Sequence, residues 1–161
     1  MNQEIIIHTA IAKNRVFGKE NKIPWYIKED FELFKQNTTN QIVIMGRNTW
    51  ESLPEKFRPL PNRENIVISS NQKDEYPIWA KDIPSALTYC KLTNPDKKIF
   101  LIGGARIYQE GIDKYATHMY LSHLNKEYDG DRFFPEFSKN DWKVIEEKQF
   151  DEFTFKIWKR N

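Results

Sequence analysis

The stretch from Asn21 to Phe34, NKIPWYIKEDFELF, places one carboxylate where a helix has little use for it. If a helix begins at Ile27, a turn of roughly 100° per residue gathers Ile27, Phe31 and Phe34 into an apolar arc, with Leu33 extending one side. Asp30 falls inside it, between Leu33 and Phe34. Lys28, Glu29, Glu32, Lys35 and Gln36 fill the opposite side, so polar surface for an acid was available. An unpaired carboxylate in an apolar pocket costs several kcal/mol, so a partner or ligand must compensate it. The plain alternative is a side chain that turns out to water.

Three other segments carry groups suited to an anion. After the apolar run QIVIM come Gly46, Arg47, Asn48 and Thr49, a tight turn into a helix start with a cation and a hydroxyl. After NIVI come Ser69, Ser70 and Asn71. After KIFLI come Gly103 and Gly104, which allow close backbone approach, followed by Arg106. Each alone reads as easily as a structural turn or a solvated loop. Three at the ends of apolar runs suggest a phosphorylated dinucleotide, because open α/β sheets bind ligands beyond the carboxyl ends of their strands.

Other chemistries lack their motifs. G-x-G-x-x-G, G-x-x-x-x-G-K-[ST] and G-x-S-x-G are absent. His8, His118 and His123 lack metal-ligand spacing, and His118 and His123 on one strand would face opposite ways. They read as surface or core histidines. Asp129-Gly130-Asp131 lacks the remaining positions of a calcium loop and reads as a solvated turn. No metal site is expected.

The elements that must position these groups follow from periodicity. Glu4 to Ala12 is a near-continuous apolar run, as expected for a strand buried on both faces. Helix from about Ile27 to Gln36, strand 41–45 and a short helix after Gly46 follow. Further strands are expected at Asn65–Ser69, Ile78–Ala80, Lys98–Ile102 and Thr117–Leu124. Asp82-Ile83-Pro84 caps a helix running to about Leu92, and Ala105 to about Gly111 is helical. Trp142–Phe150 and Phe153–Lys159 form a hairpin, since Phe153, Phe155 and Ile157 alternate with Thr154 and Lys156. The expected fold is α/β: a single domain over residues 1–161 with a central, mostly parallel twisted sheet of about eight strands, an antiparallel C-terminal hairpin, and helices on both faces.

Bulk properties agree. A chain of 161 residues with 39% hydrophobic content closes one sizeable core. Twenty-five basic against 23 acidic residues leave a formal charge of +2 with the signs interspersed, so nucleic acid is not the expected partner. No apolar stretch approaches the ~20 residues of a membrane span, and the N-terminus does not resemble a secretion signal. The single Cys90, on the apolar side of its helix, suits a reducing compartment, and the expected location is cytoplasmic.

The ordered set IPW, EDF, IVIMGRNTWESL, RPLPNRENIVIS, KIFLIGGARIY, YLSHL and DGDRFFP resembles the dihydrofolate reductase family from about Ile5 to Phe137. The resemblance implies reduction of 7,8-dihydrofolate by NADPH, in a monomer that is a target of antifolates. It implies that Asp30 binds the pterin's 2-amino group and neighbouring ring nitrogen, with Ser122 standing for the family's usual threonine and Trp25 holding an ordered water. Phe34, Leu53 and Leu60 would line the slot for the pterin and aminobenzoyl groups, and Arg63 would hold the glutamate carboxylate. His8, Thr9, Ala10, Ile23, Ile102 and Tyr108 complete the implied substrate wall.

On the cofactor side it implies Gly46, Arg47, Asn48 and Thr49 at pyrophosphate and ribose, and Ser69 and Ser70 with Arg47 at the 2′-phosphate. Gly103 and Gly104, joined in the family by a cis peptide, would abut the nicotinamide, with Ala105, Arg106 and Ile107 following. Ala10, Phe17, Gly18 and Asn21 would meet the cofactor from the other side. Gly18 to Pro24 resembles the family's mobile loop, and Asp131 a residue that braces it. His8 and Thr9 depart from the family's aliphatic or small residues, Phe17 replaces a smaller aliphatic, and Glu55-Lys56-Phe57 lengthen a loop. A pyrimidine reductase of riboflavin synthesis, which shares fold and cofactor, and a non-catalytic folate- or RNA-binding relative are the alternatives.

Overall fold

The computed structural model describes residues 3–161. The first apolar run forms β1 (Ile5–Ile11), followed by a short β2 (Val16–Gly18). Then come α1 (Lys28–Thr38), β3 (Ile42–Gly46) and α2 (Arg47–Ser52). Next are β4 (Glu64–Ile68), β5 (Ile78–Ala80), α3 (Ile83–Thr93), β6 (Ile99–Leu101) and α4 (Ala105–Glu110). The chain closes with β7 (His118–Leu124), β8 (Arg132–Phe133), β9 (Trp142–Gln149) and β10 (Phe153–Arg160).

Eight strands make one sheet in the order β5-β4-β3-β6-β1-β7-β10-β9. Pairings from β5 across to β7 are parallel, and β10 is antiparallel to both β7 and β9. This is the single α/β domain with a C-terminal antiparallel pair expected from the sequence. Central strands are apolar on both faces because helices cover both. Trp50 of α2 packs with Ile6, Val43, Met45, Val67 and Phe100 on one face. Ile83, Ala86 and Cys90 of α3 and Ile107 of α4 pack with Ile7, Ile44 and Leu101 on the other. Among the described residues no helix is long and apolar enough to cross a membrane.

Periodicity did not anticipate two features. Gly111–Tyr115 continues from α4 as a π-helical turn. The second is a two-stranded sheet of β2 and β8, in segments too short for periodicity to register. Asp129 and Asp131 are exposed, in line with the solvated turn read from the sequence, while Gly130 between them packs against β2: a Cβ there would overlap Val16 and lie 2.6 Å from the Gly18 carbonyl oxygen.

Candidate active site

The carboxyl ends of β1, β3, β4 and β6 open into one cleft of about 1380 Å³. A single drug-sized ligand fills about 300–1,000 Å³, so the cleft has room for two molecules side by side. Helix α1 forms one wall. It has no side-chain cap at its start, and its buried residues are Asp30 and Thr38. Phe31, Leu33 and Phe34 are only half-buried, and Phe31 and Phe34 line open space. The amphipathic pattern therefore aims at a cleft, and the acid sits deepest.

Asp30 is 9% exposed, and no described cation pairs with it. Burial raises its pKa, opposed by the Ser122 hydroxyl. Ser122 lies on β7 opposite Ala10 of β1 and is completely buried, with no well-formed hydrogen bond to the protein. It stands behind the acid, and is the one expected site residue that does not line the cleft. Trp25 is 8% exposed, its ring 4.9 Å from Tyr128, and its Nε1 has no protein acceptor. A buried donor without a partner calls for a water or a ligand atom.

Farther along α1, Arg63 donates from Nη1 to Thr38 Oγ1 at 3.0 Å and from Nε to the Pro61 carbonyl at 2.9 Å, with its guanidinium 5.9 Å from the Phe34 ring centre. No acid among the described residues pairs with it. A planar cation fixed on two sides, with donors to spare, is suited to a carboxylate. Leu53, Leu60, Ile23 and Ile102 line the same cleft as Asp30 and Arg63.

The other half of the cleft lies against the turns after β3, β4 and β6. Gly103 and Gly104 are joined by a cis peptide, and Gly103 has φ +127°. A Cβ there would stand 3.0 Å from Thr49 Oγ1 and 3.2 Å from the Tyr108 hydroxyl, so only glycine fits. Gly46 donates its N–H to the Gly103 carbonyl at 2.8 Å, tying two turns together. Arg47 and Arg106 are exposed, each loosely paired along its own helix, Arg47 with Glu51 at 4.0 Å and Arg106 with Glu110 at 3.5 Å. Such pairs are weak and release readily to an anion. Asn48, Thr49, Ser69, Ser70, Ala105 and Ile107 also line this half. Tyr108 is buried, and burial pushes its hydroxyl pKa up, opposed by the neighbouring Thr9 side chain.

A loop from Gly18 to Pro24 borders both halves. Glu20 and Asn21 have φ of +50° and +62°, and Lys19 and Lys22 pair across the turn. The Glu20 N–H donates to Asp131 Oδ2 at 3.2 Å, the Asp131 N–H to the Gly18 carbonyl at 3.1 Å, and Lys19 pairs with Asp129 at 2.6 Å. Phe17 packs edge-on against Tyr108 at 5.1 Å. His118 and His123 are structural: His118 contacts the Thr117 hydroxyl at 2.8 Å, and His123 Nε2 accepts from Trp158 Nε1 at 3.1 Å.

Sequence reasoning missed several cleft residues, among them Tyr26, Phe57, Lys73, Tyr76 and Arg132. Tyr26 and Phe57 are exposed apolar side chains at the rim, and a single sequence gives no signal for those. Asn37, also missed, carried a usable signal: it follows Asp30 by seven residues, two helical turns, and shares its face.

The profile of the dihydrofolate reductase family matches residues 4–160. The chain is 46% identical over 151 residues to the dihydrofolate reductase of Buchnera aphidicola subsp. Acyrthosiphon pisum, covering 92% of this chain and 89% of that one. It is 38% identical to that of Haemophilus influenzae over 95% of this chain and 88% of the relative. To that of Bacillus subtilis it is 37% identical over 87% and 80%. With a buried acid on the first helix and a glycine pair across a shared cleft, the chain belongs to the dihydrofolate reductase family.

Proposed function

We propose that this protein reduces 7,8-dihydrofolate to 5,6,7,8-tetrahydrofolate with NADPH. The observation that carries the reading is the buried, cation-free Asp30 at one end of a slot that ends at Arg63. A pterin presents an amino group and a ring nitrogen on one edge, which can satisfy both carboxylate oxygens. Arg63 stands at the far end for the carboxylate of the glutamate tail. Ser122 supplies a hydroxyl behind Asp30, and Trp25 an N–H for a bridging water.

The residues across the cleft fit a phosphorylated dinucleotide. The bare backbone at Gly103 admits a flat ring, while Arg47, Ser69 and Ser70 gather donors for a 2′-phosphate. When bound, NADPH supplies the hydride that reaches carbon 6 of the pterin. Asp30 holds the pterin in line and keeps a negative charge beside the cation that develops as nitrogen 5 is protonated. The loop held by Asp131 excludes water as the cleft closes. The chain acts as a monomer in the cytoplasm, and the buried free thiol of Cys90 supports the reducing compartment.

The test is NADPH consumption on adding dihydrofolate, with NADH and a riboflavin-pathway pyrimidine as controls. Consumption with dihydrofolate, and faster with NADPH than NADH, is expected. Consumption with the pyrimidine alone would overturn the reading.

A further inference from the structure

Arg132 is a cation that the small β2–β8 sheet carries to the cleft. It pairs with Gly18 across the two strands, and its exposed side chain lines the cleft. A Cβ on Gly18 would stand 3.4 Å from Arg132 Cβ and 3.5 Å from its Cγ, so the aliphatic stem runs over the bare backbone of Gly18. The backbone on either side is fixed: Asp131 donates its N–H to the Gly18 carbonyl at 3.1 Å, and Phe133 pairs with Val16.

The guanidinium has no ion-pair partner among the described residues. The acids nearest in sequence are engaged elsewhere, Asp129 with Lys19 at 2.6 Å and Asp131 with the Glu20 N–H at 3.2 Å. Eight of the chain's 25 Lys and Arg line the cleft, but only three of its 23 Asp and Glu. Cations gathered around one cavity repel each other and draw in an anionic occupant.

Position selects which anion Arg132 meets. Phe17, next to Gly18, packs on Tyr108, whose hydroxyl would lie 3.2 Å from a Cβ on Gly103. Arg132 therefore belongs to the side of the cleft where the glycine pair sits. Ser69 and Ser70 follow β4, three strands from β1 and about 14 Å away at the spacing of neighbouring strands, with β3 and β6 between. A 2′-phosphate at those serines is too distant for this side chain. The diphosphate of a dinucleotide whose flat ring rests at Gly103 passes over the turns between the two, and is the nearest anion.

Resting on the reading of this cleft as an NADPH site, we propose that Arg132 is a further cofactor-binding residue, whose guanidinium holds the diphosphate from the side of β2. Arg47 and Arg106 approach from the turns after β3 and β6, so the cofactor's charged middle is gripped from two directions. The planar fork of Arg132 matches two phosphate oxygens. Since NADPH and NADH share the diphosphate, Arg132 adds affinity for both and does not choose between them.

The test measures dissociation constants of NADPH, NADH and dihydrofolate for the wild type, Arg132→Gln and Arg132→Lys. Arg132→Gln should weaken NADPH and NADH alike by about 10-fold, the low end for a charge-assisted hydrogen bond because the group is exposed. Dihydrofolate binding should hold, Arg132→Lys should fall between the other two proteins, and NADPH binding should depend less on salt in the Gln variant. On 15N-arginine-labelled wild-type protein, the Arg132 Nε–H signal should move with either cofactor and not with dihydrofolate, a readout that stands even if a variant misfolds. Unchanged cofactor binding, a loss confined to NADPH, equal weakening of dihydrofolate, or Lys no better than Gln would overturn the proposal. Failure of the wild type to bind NADPH would sink the functional reading; normal NADPH binding that ignores Arg132 would sink only this role.

Discussion

Ser122, completely buried on β7, sets its hydroxyl behind the carboxyl of Asp30, and the two form a polar pair beneath the cleft with no cation to balance it. Burial lifts the acid's pKa, so between its unfolded value and the raised folded one the native state binds more protons than the unfolded chain. Stability is therefore lost as pH rises through that interval, and at neutral pH the buried carboxylate is a liability that ligand binding relieves.

Asp30→Asn separates these two roles. The amide removes the charge facing the developing pterin cation, so turnover of dihydrofolate at neutral pH should fall by a factor on the order of 100 or more. The same change removes the buried charge, and the ligand-free protein should gain about 1 kcal/mol, or roughly 2–4 °C in Tm. Steady-state rates and thermal unfolding of the apo protein check both. Near-normal turnover would refute the placement of the acid.

The sequence revealed this site unevenly, for physical reasons. Asp30 was legible because a helix repeats every 3.6 residues, and one acid within an apolar arc breaks the pattern. The glycine pair was legible as turn chemistry at a strand end. The length of β2 and β8 hid them, because two or three residues carry no period. Tyr26 and Phe57 escaped because membership of a cleft rim depends on where two loops meet in space. His8 read by itself as a surface or core histidine, and only the family resemblance put it in the substrate wall; its unpaired nitrogen becomes visible only once Asn37 is placed across from it.

Acid should unfold the protein partly through its histidines. Burial holds His8 down to about 3 and His123, helped by Lys156 and Lys139, to about 4. Unfolded histidine titrates near 6.5, so the unfolded chain binds more protons below that pH. Stability from the neutral rings is fully present above about 6.5 and is lost as pH falls toward 3–4. Urea midpoints measured between pH 7 and 4 should decline, and the decline should be shallower in His8→Leu. Parallel curves for the two proteins would contradict a buried, neutral His8.

Gly103→Ala tests the close approach at the cofactor side. The residue has φ +127°, and the added methyl would press on Thr49 Oγ1 and the Tyr108 hydroxyl. Strain of this kind costs about 1–3 kcal/mol, so the variant should melt several degrees lower. The methyl also narrows the space for a flat ring, so the KM for NADPH should rise more than that for dihydrofolate. An unaltered KM for NADPH would place the nicotinamide elsewhere.

Arg47→Ala addresses the choice between the two nicotinamide cofactors. The side chain is more than half exposed and only loosely held by Glu51 at 4.0 Å, so its loss should change stability by less than about 0.5 kcal/mol. Its contribution to a 2′-phosphate would be a charge-assisted hydrogen bond worth about 1.5–3 kcal/mol, or roughly 10- to 100-fold in affinity. The KM for NADPH should rise by about that factor, while the KM for NADH, which lacks the phosphate, stays close to that of the wild type. Added salt should weaken NADPH binding to the wild type more than to the variant, because the removed interaction is ionic and near the surface. Equal losses for both cofactors would move Arg47 to the pyrophosphate and leave Ser69 and Ser70 to read the 2′ position.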